Sequence, residues 1–250
     1  KGTAKTYTNA YKLLKQFNKE FTYRLSYEKI GQKFYRDYLK WLQTKHYTAN
    51  YIGTQIKVLK TMLNASLELE HHNNREHLKK YFSKPTEEVN HIYLNPDELQ
   101  ALFKVDVSNI KPIKISKSLY LTPEQLDNAR DLFLISANTG LRVSDFNRLK
   151  LKNIIETDGR KFIQIITKKT QNPVTIPVNT MVNNILKKRD GHPPKRMTDQ
   201  HINYAIKEVA KLAEINSIET IERTIGGVKK STEYKTRPKN TILILWQFLK

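Results

Sequence analysis

One stretch of this 250-residue chain places an arginine and a carboxylate three residues apart, just behind a glycine: Ala137-Asn138-Thr139-Gly140-Leu141-Arg142-Val143-Ser144-Asp145. A glycine closing an apolar run marks a helix C-terminus, so Arg142 sits on a structural corner. A guanidinium is a planar fork of donors that fits phosphate oxygens bidentately. The chemistry on offer is the grip of a phosphodiester. Asp145 is placed to orient a neighbouring arginine or the turn itself, or it is a first-turn helix acid. Taken alone, the stretch also fits a capped helix followed by a solvated arginine.

The charge of the chain weighs towards a polyanion. Lys+Arg number 44 against 24 Asp+Glu, a formal net charge of +20. The excess is spread along the sequence: 17 basic against 8 acidic residues over 1–90, and 27 against 16 over 91–250. Both halves sharing the charge is what one long ligand, most simply nucleic acid, would ask of them. The chain has no cysteine, which excludes disulfides, thiol catalysis and cysteine-based zinc sites. Its seven histidines show no metal-ligand spacing. No apolar run reaches the ~20 residues a membrane span needs, and no secretory signal pattern is present, so the expected location is cytoplasmic.

The elements that must position Arg142 follow from periodicity. The first eighty residues predict helices. Tyr11, Leu13, Leu14, Phe17 and Phe21 recur at near-helical spacing; Ser26 is a candidate cap for a second helix through Lys45, with Ile30, Phe34, Tyr38, Leu39 and Leu42 on one face. Thr48 is a candidate cap for a third, with Ile52, Ile56, Leu59, Leu63 and Leu67 inward. Lys57 and Lys60 fall off that stripe and share a face. They are candidate DNA contacts, to base edge or phosphate, or part of a solvated face. The polar, proline-broken stretch from Ser83 predicts a linker, giving a helical domain over 1–84, a linker over 85–94 and a second domain over 95–250. In the second, Asn95-Pro96-Asp97-Glu98 and Thr122-Pro123-Glu124-Gln125 signal helix starts. Residues 105–120 read as irregular, and Ser144 is a candidate cap for a short helix to Lys150. Strands follow over Ile154–Ile155, Phe162–Thr167 and Val174–Val178, with turns at Thr157–Arg160 and Gln171–Pro173. Asn179 and Thr198 open two more helices, the latter to Ile215 with Ile202, Ile206, Val209 and Leu212 inward, and a hairpin centres on Gly226-Gly227.

With these residues in place, the chain resembles the tyrosine recombinases of the phage-integrase family, of the kind carried by Bacteroides-type mobile elements. Thr139 to Asp145 resembles the family's first arginine box. Thr167-Lys168-Lys169-Thr170 followed by Val174-Thr175-Ile176-Pro177 resembles its β-hairpin lysine and trailing strand. The N-terminal helices, with Tyr38, Leu39, Trp41 and Leu42 and then Ile56, Lys57, Leu59 and Lys60, resemble the core-binding, SAM-like domain. Ile92-Tyr93-Leu94 before Asn95 resembles the start of the catalytic domain. The resemblance runs in order over roughly residues 1–236 and implies a mainly α fold with a small antiparallel β-sheet: a helical SAM-like core-binding domain plus an α+β catalytic domain, incomplete at its C-terminus. It implies DNA cleavage through a 3′-phosphotyrosyl link, with Arg142 on the phosphate and Lys169, better matched than Lys168, protonating the leaving 5′-oxygen. Asp145 would support them. It implies double-stranded DNA as partner, a homo-oligomer on that DNA (a tetrameric synapse in the family), and neither metal nor other cofactor.

The sequence departs from the family after Lys169. His192 and His201 have no arginine three residues on, and His72-Asn73-Asn74-Arg75 lies in the helical domain, where its spacing reads as chance. The expected His-x-x-Arg would fall near the apolar ending Thr241 to Lys250, a pattern read as truncation or a reading-frame change. Tyr204 and Tyr234 are weak candidates for the nucleophile, which stays unassigned, as does Trp246 for the family's late tryptophan. Two functions compete: a recombinase chain inactive as given, and a non-catalytic DNA-binding protein that competes or regulates at recombination sites. RNA binding is disfavoured, because the hairpin strands offer Ile and Val rather than stacking aromatics.

Overall fold

The computed structural model describes residues 2–21, 24–89 and 93–235. The chain is mainly α-helical with small antiparallel sheets. It divides into two compact units, residues 1–90 with 220–232, and residues 91–219 with 233–250.

The first unit is built on α1 (Gly2–Glu20), α2 (Gln32–Thr44) and α3 (Ala49–Glu68). Its core is aromatic: Phe17, Phe34, Tyr38 and Trp41 are all buried, with the Phe17 and Tyr38 rings 5.1 Å apart and tilted edge-on. On α1 the buried residues are Ala10, Leu13 and Phe17, while Tyr11 and Phe21 of the expected series stay about half exposed. Thr48 caps α3 by accepting the Tyr51 N–H, and Ile52, Ile56, Leu59 and Leu63 face inward.

Ser26 does not cap α2. Residues Tyr27–Lys29 form a single 3₁₀ turn, and α2 starts after Gly31. The cause lies far along the chain: the Asn74 amide donates to the carbonyls of both Tyr27 and Ile30, at 2.5 and 2.9 Å, holding the segment out of the helix. His72 stacks on Tyr27 with ring centroids 4.4 Å apart.

Residues 82–88 lie along α3 in reverse direction. Lys60 Nζ donates to the Phe82 carbonyl at 2.8 Å, Gly53 meets Pro85, and the Asn50 side chain bonds both backbone groups of Glu87. A Cβ on Gly53 would sit 1.9 Å from the Pro85 carbonyl oxygen, so only glycine permits this crossing.

The second unit opens with α4 (Pro96–Lys104) and α5 (Pro123–Thr139), both with reciprocal capping boxes, Asn95 with Glu98 and Thr122 with Gln125. Between them β1 (Ile113–Lys114) and β2 (Tyr120–Leu121) form a two-residue ladder in the stretch expected to be irregular. α6 (Val143–Phe146) follows α5, then β3 (Ile154–Thr157), β4 (Arg160–Ile166) and β5 (Pro173–Pro177) in one antiparallel sheet of that order. α7 (Thr180–Lys188) and α8 (Asp199–Leu212) pack on α5, which is buried along most of its length. α8 stops at Leu212, which is exposed rather than inward. α6 starts at Val143 with Arg142 at its cap position, so Ser144 is inside the helix and not its cap.

Chain order then returns to the first unit. β6 (Ile218–Ile225) and β7 (Val228–Lys235) form the hairpin expected at Gly226-Gly227, both glycines at positive φ. Thr48 bridges Ile225, the Gly226 N–H donates to the Tyr47 carbonyl, and Glu87 accepts from both the N–H and hydroxyl of Thr224.

Candidate nucleic-acid interface

The corner carrying Arg142 is fixed from both sides. Gly140 takes the left-handed conformation at φ 69° and returns its N–H to the Ser136 carbonyl, ending α5. Leu141 is buried, and Ser136 Oγ donates to its carbonyl at 3.2 Å. The Arg142 carbonyl accepts the N–H groups of Asp145 and Phe146. Arg142 therefore projects from a rigid backbone. Its Nε is buried without a protein hydrogen-bond partner.

Asp145 is fully buried and ties the box to the sheet. Its Oδ1 accepts the backbone N–H of Lys168 at 2.8 Å and the Arg148 guanidinium at 3.1 Å. Arg148 donates in turn to the Ile166 carbonyl, at the end of β4. Asp145 thus holds the turn that carries Lys168 and pairs with Arg148. The other carboxylate oxygen, Oδ2, is buried without a partner.

The turn between β4 and β5 is itself ordered by hydrogen bonds. Thr167 N–H reaches the Asn172 carbonyl, Gln171 N–H reaches the Thr167 carbonyl, and the Thr167 and Thr170 hydroxyls lie 2.7 Å apart. Gln171 is at φ 58°. Lys168 and Lys169 are both exposed on this turn. An open cavity of about 460 Å³ is lined by Gly140, Arg142, Asp145, Thr167, Thr170 and Thr175, among others. Box and turn thus share one cavity wall. It offers a guanidinium, hydroxyls and a braced lysine turn, a donor set suited to an oxyanion.

The two lysines of α3 separate. Lys57 is exposed. Lys60 is half-buried, its ammonium bonded to the Phe82 carbonyl and 6.0 Å from that ring's centroid. His72 is buried, with Nε2 3.2 Å from the Leu63 carbonyl and Nδ1 accepting the Asn74 N–H, whereas Arg75 is exposed. Tyr204 is half-buried on α8, its hydroxyl accepting from Gln200, and Tyr234 falls on β7. The expected position of His-x-x-Arg, and Trp246 with it, lies outside the described residues. Sequence reasoning missed Arg148 as the partner of Asp145, and Thr167 and Thr170 as parts of the cavity wall. The i,i+3 spacing of Asp145 and Arg148 is the one local signal for the first of them.

Among the described residues no group of acidic or histidine side chains could hold a metal ion, and no helix is long and apolar enough to cross a membrane.

Residues 1–81 match the phage integrase SAM-like domain. In structure the chain is similar to a lambda integrase dimer bound to a COC′ core site, with TM-score 0.60 and 15% identity over 86% of this chain and 72% of that one. It is similar also to the XerH site-specific recombinase bound to difH substrate in a pre-cleavage complex, with TM-score 0.52 and 18% identity over 84% of this chain and 63% of that one. A post-cleavage XerH complex on a palindromic difH substrate gives TM-score 0.57 and 17% identity over 97% and 66%. The comparison with curated proteins found no match. The fold is that of integrase core-binding and catalytic domains.

Proposed function

We propose that this chain is a tyrosine recombinase of a Bacteroides-type mobile element, acting on duplex DNA in the cytoplasm as a homo-oligomer assembled on its site. Arg142 grips the phosphate, Lys169 protonates the 5′-leaving oxygen, and Asp145 positions the turn that carries the lysine. Lys57, and Lys60 beside it, meet DNA from the first unit. One observation carries the reading: the Asp145 carboxylate accepts the Lys168 N–H at 2.8 Å, tying the lysine turn to the arginine box around one cavity. The domain division that goes with it is 1–84, a connecting segment over 85–94, and 95–250.

A second reading is DNA binding without strand cleavage: neither His192 nor His201, the two histidines after Lys169 in these 250 residues, has an arginine three residues on. Losses among residues that act as a unit are not made good by the remainder. A nicked substrate bearing the crossover site of the element separates the two on a denaturing gel. The 250 residues alone are expected to bind it and leave no protease-sensitive, shifted band. A chain in which a segment holding His-x-x-Arg and a tyrosine stands in place of residues 236–250 is expected to give that band, and Arg142→Ala to abolish it. Failure to bind, or a band unaffected by Arg142→Ala, contradicts the recombinase reading.

A further inference from the structure

A second cation-lined cavity lies at the other end of β4 and β5, away from the Arg142 corner. Its volume is about 410 Å³, and Arg160, Lys161, Thr180, Asn183 and Lys187 are among its lining residues. It forms where the tight turn at Asp158 and Gly159, both at positive φ, brings β4 back beside β3, and where β5 runs into the start of α7. The Val178 N–H donates to the Lys161 carbonyl, so strand and helix start are held together.

The charges here differ from those at the C-terminal end of α7. Lys188 and Arg189 are both ion-paired with the carboxylates of Asp127 and Asp131. Lys187, one residue earlier, has no carboxylate within ion-pair distance among the described residues, and neither have Arg160 and Lys161. Glu156 stands opposite Lys161 in the β3–β4 ladder, and Asp158 is in the adjoining turn; neither closes an ion pair with the three cations. Three like charges around one hollow repel one another unless an anion enters. Asn183 adds a second sign of a missing partner. Its side-chain oxygen is buried without a hydrogen bond, and turning the amide over presents its NH₂ donors at the same place. The first turn of α7 adds the positive end of a helix dipole.

We propose that this cavity is a second phosphate-binding site, taking a backbone phosphate of the same DNA duplex whose other phosphates meet the Arg142 corner. The inference rests on the DNA-binding reading above. Arg160 and Lys187 supply charge and a guanidinium fork, Lys161 a further ammonium on a half-buried residue, and the hollow itself makes the contact one of position rather than of base sequence.

The full chain and a duplex test it. Wild type must first bind with salt-dependent affinity; if it does not, the DNA reading itself has failed. Given that binding, the double variant Arg160→Gln/Lys187→Gln is expected to lower the slope of log K against log salt by about two, one for each phosphate-contacting cation removed. The charge-matched variant Lys195→Gln/Lys211→Gln, whose lysines are exposed and paired with Glu124 and Glu208, is expected to change it much less. A slope for the first variant equal to that of wild type, or to that of the control, overturns the proposal. A second measurement needs no mutation: Lys161 and Lys187 of wild type are expected to be protected from an amine-reactive reagent by saturating duplex. Unprotected lysines overturn the proposal, as does protection by inorganic phosphate at matched ionic strength and not by duplex.

Discussion

A buried carboxylate needs partners, and Asp145 finds both beyond its own helix: Arg148 two residues past its end and Lys168 on the turn after β4. Its two hydrogen bonds are charge-assisted, each worth about 1.5–3 kcal/mol. Asp145→Ala removes both and frees the turn, so hydrogen exchange at the Lys168 amide is expected to quicken by an order of magnitude or more while α5 exchanges as before. Asp145→Asn keeps one acceptor and is expected to fall between; an unchanged Lys168 amide in the alanine variant would refute the bracing role. The α3 lysines give a matched pair. Lys57→Gln is expected to leave the melting temperature unchanged and to flatten the salt dependence of DNA binding by about one unit of slope. Lys60→Gln breaks the bond to the Phe82 carbonyl, and thermal melting is expected to show a loss of about 1 kcal/mol.

At the scale of elements, the segment crossing α3 and the hairpin beside it are the parts most easily tested. Gly53→Ala places a methyl group against the Pro85 carbonyl. Such overpacking costs typically about 1–3 kcal/mol, and a lowered melting temperature with loss of protection at Glu87 is the expected result. Glu87, which accepts from Thr224, has its carboxyl pKa lowered from the ordinary range, first by the Thr224 hydroxyl. Glu20 is lowered to about 2, first by its bond from the Trp41 indole. For both, the contribution to stability is present above the ordinary value near 4.5 and is lost as pH falls below it. His77 shifts through burial, which holds its pKa below the usual 6.5. The unfolded chain then binds the proton first, so stability is complete above pH 6.5 and declines as pH drops through and below it. Melting temperature against pH is expected to fall first below 6.5 and again below 4.5, and His77→Gln to remove the first step.

Much of the element map was legible because its signals are local. Asn95 with Glu98 and Thr122 with Gln125 are capping boxes written within four residues, and Gly140 marks its own helix end. The start of α2 was not legible, because Asn74 sets it from another part of the chain. Nor was the place of the β6–β7 hairpin, whose partners are Tyr47, Thr48 and Glu87. The site divides the same way. Arg142 and Asp145 could be picked by spacing, and Lys169 by resemblance, but the Asp145 bond to the Lys168 backbone joins positions with no sequence pattern between them.

For the whole molecule, the central claim is that a chain of net charge +20 carries its charge to grip a duplex. The basic excess lies in both parts of the sequence, so removal of residues 1–85 is expected to weaken binding far more than their share of the charge would. The most direct test is the affinity of the intact chain for duplex DNA as salt is raised. With about six or more phosphate contacts, affinity is expected to drop by about a thousandfold or more between roughly 50 and 200 mM salt. An affinity that stays flat across that range, or an absence of binding at the low end, would contradict the account.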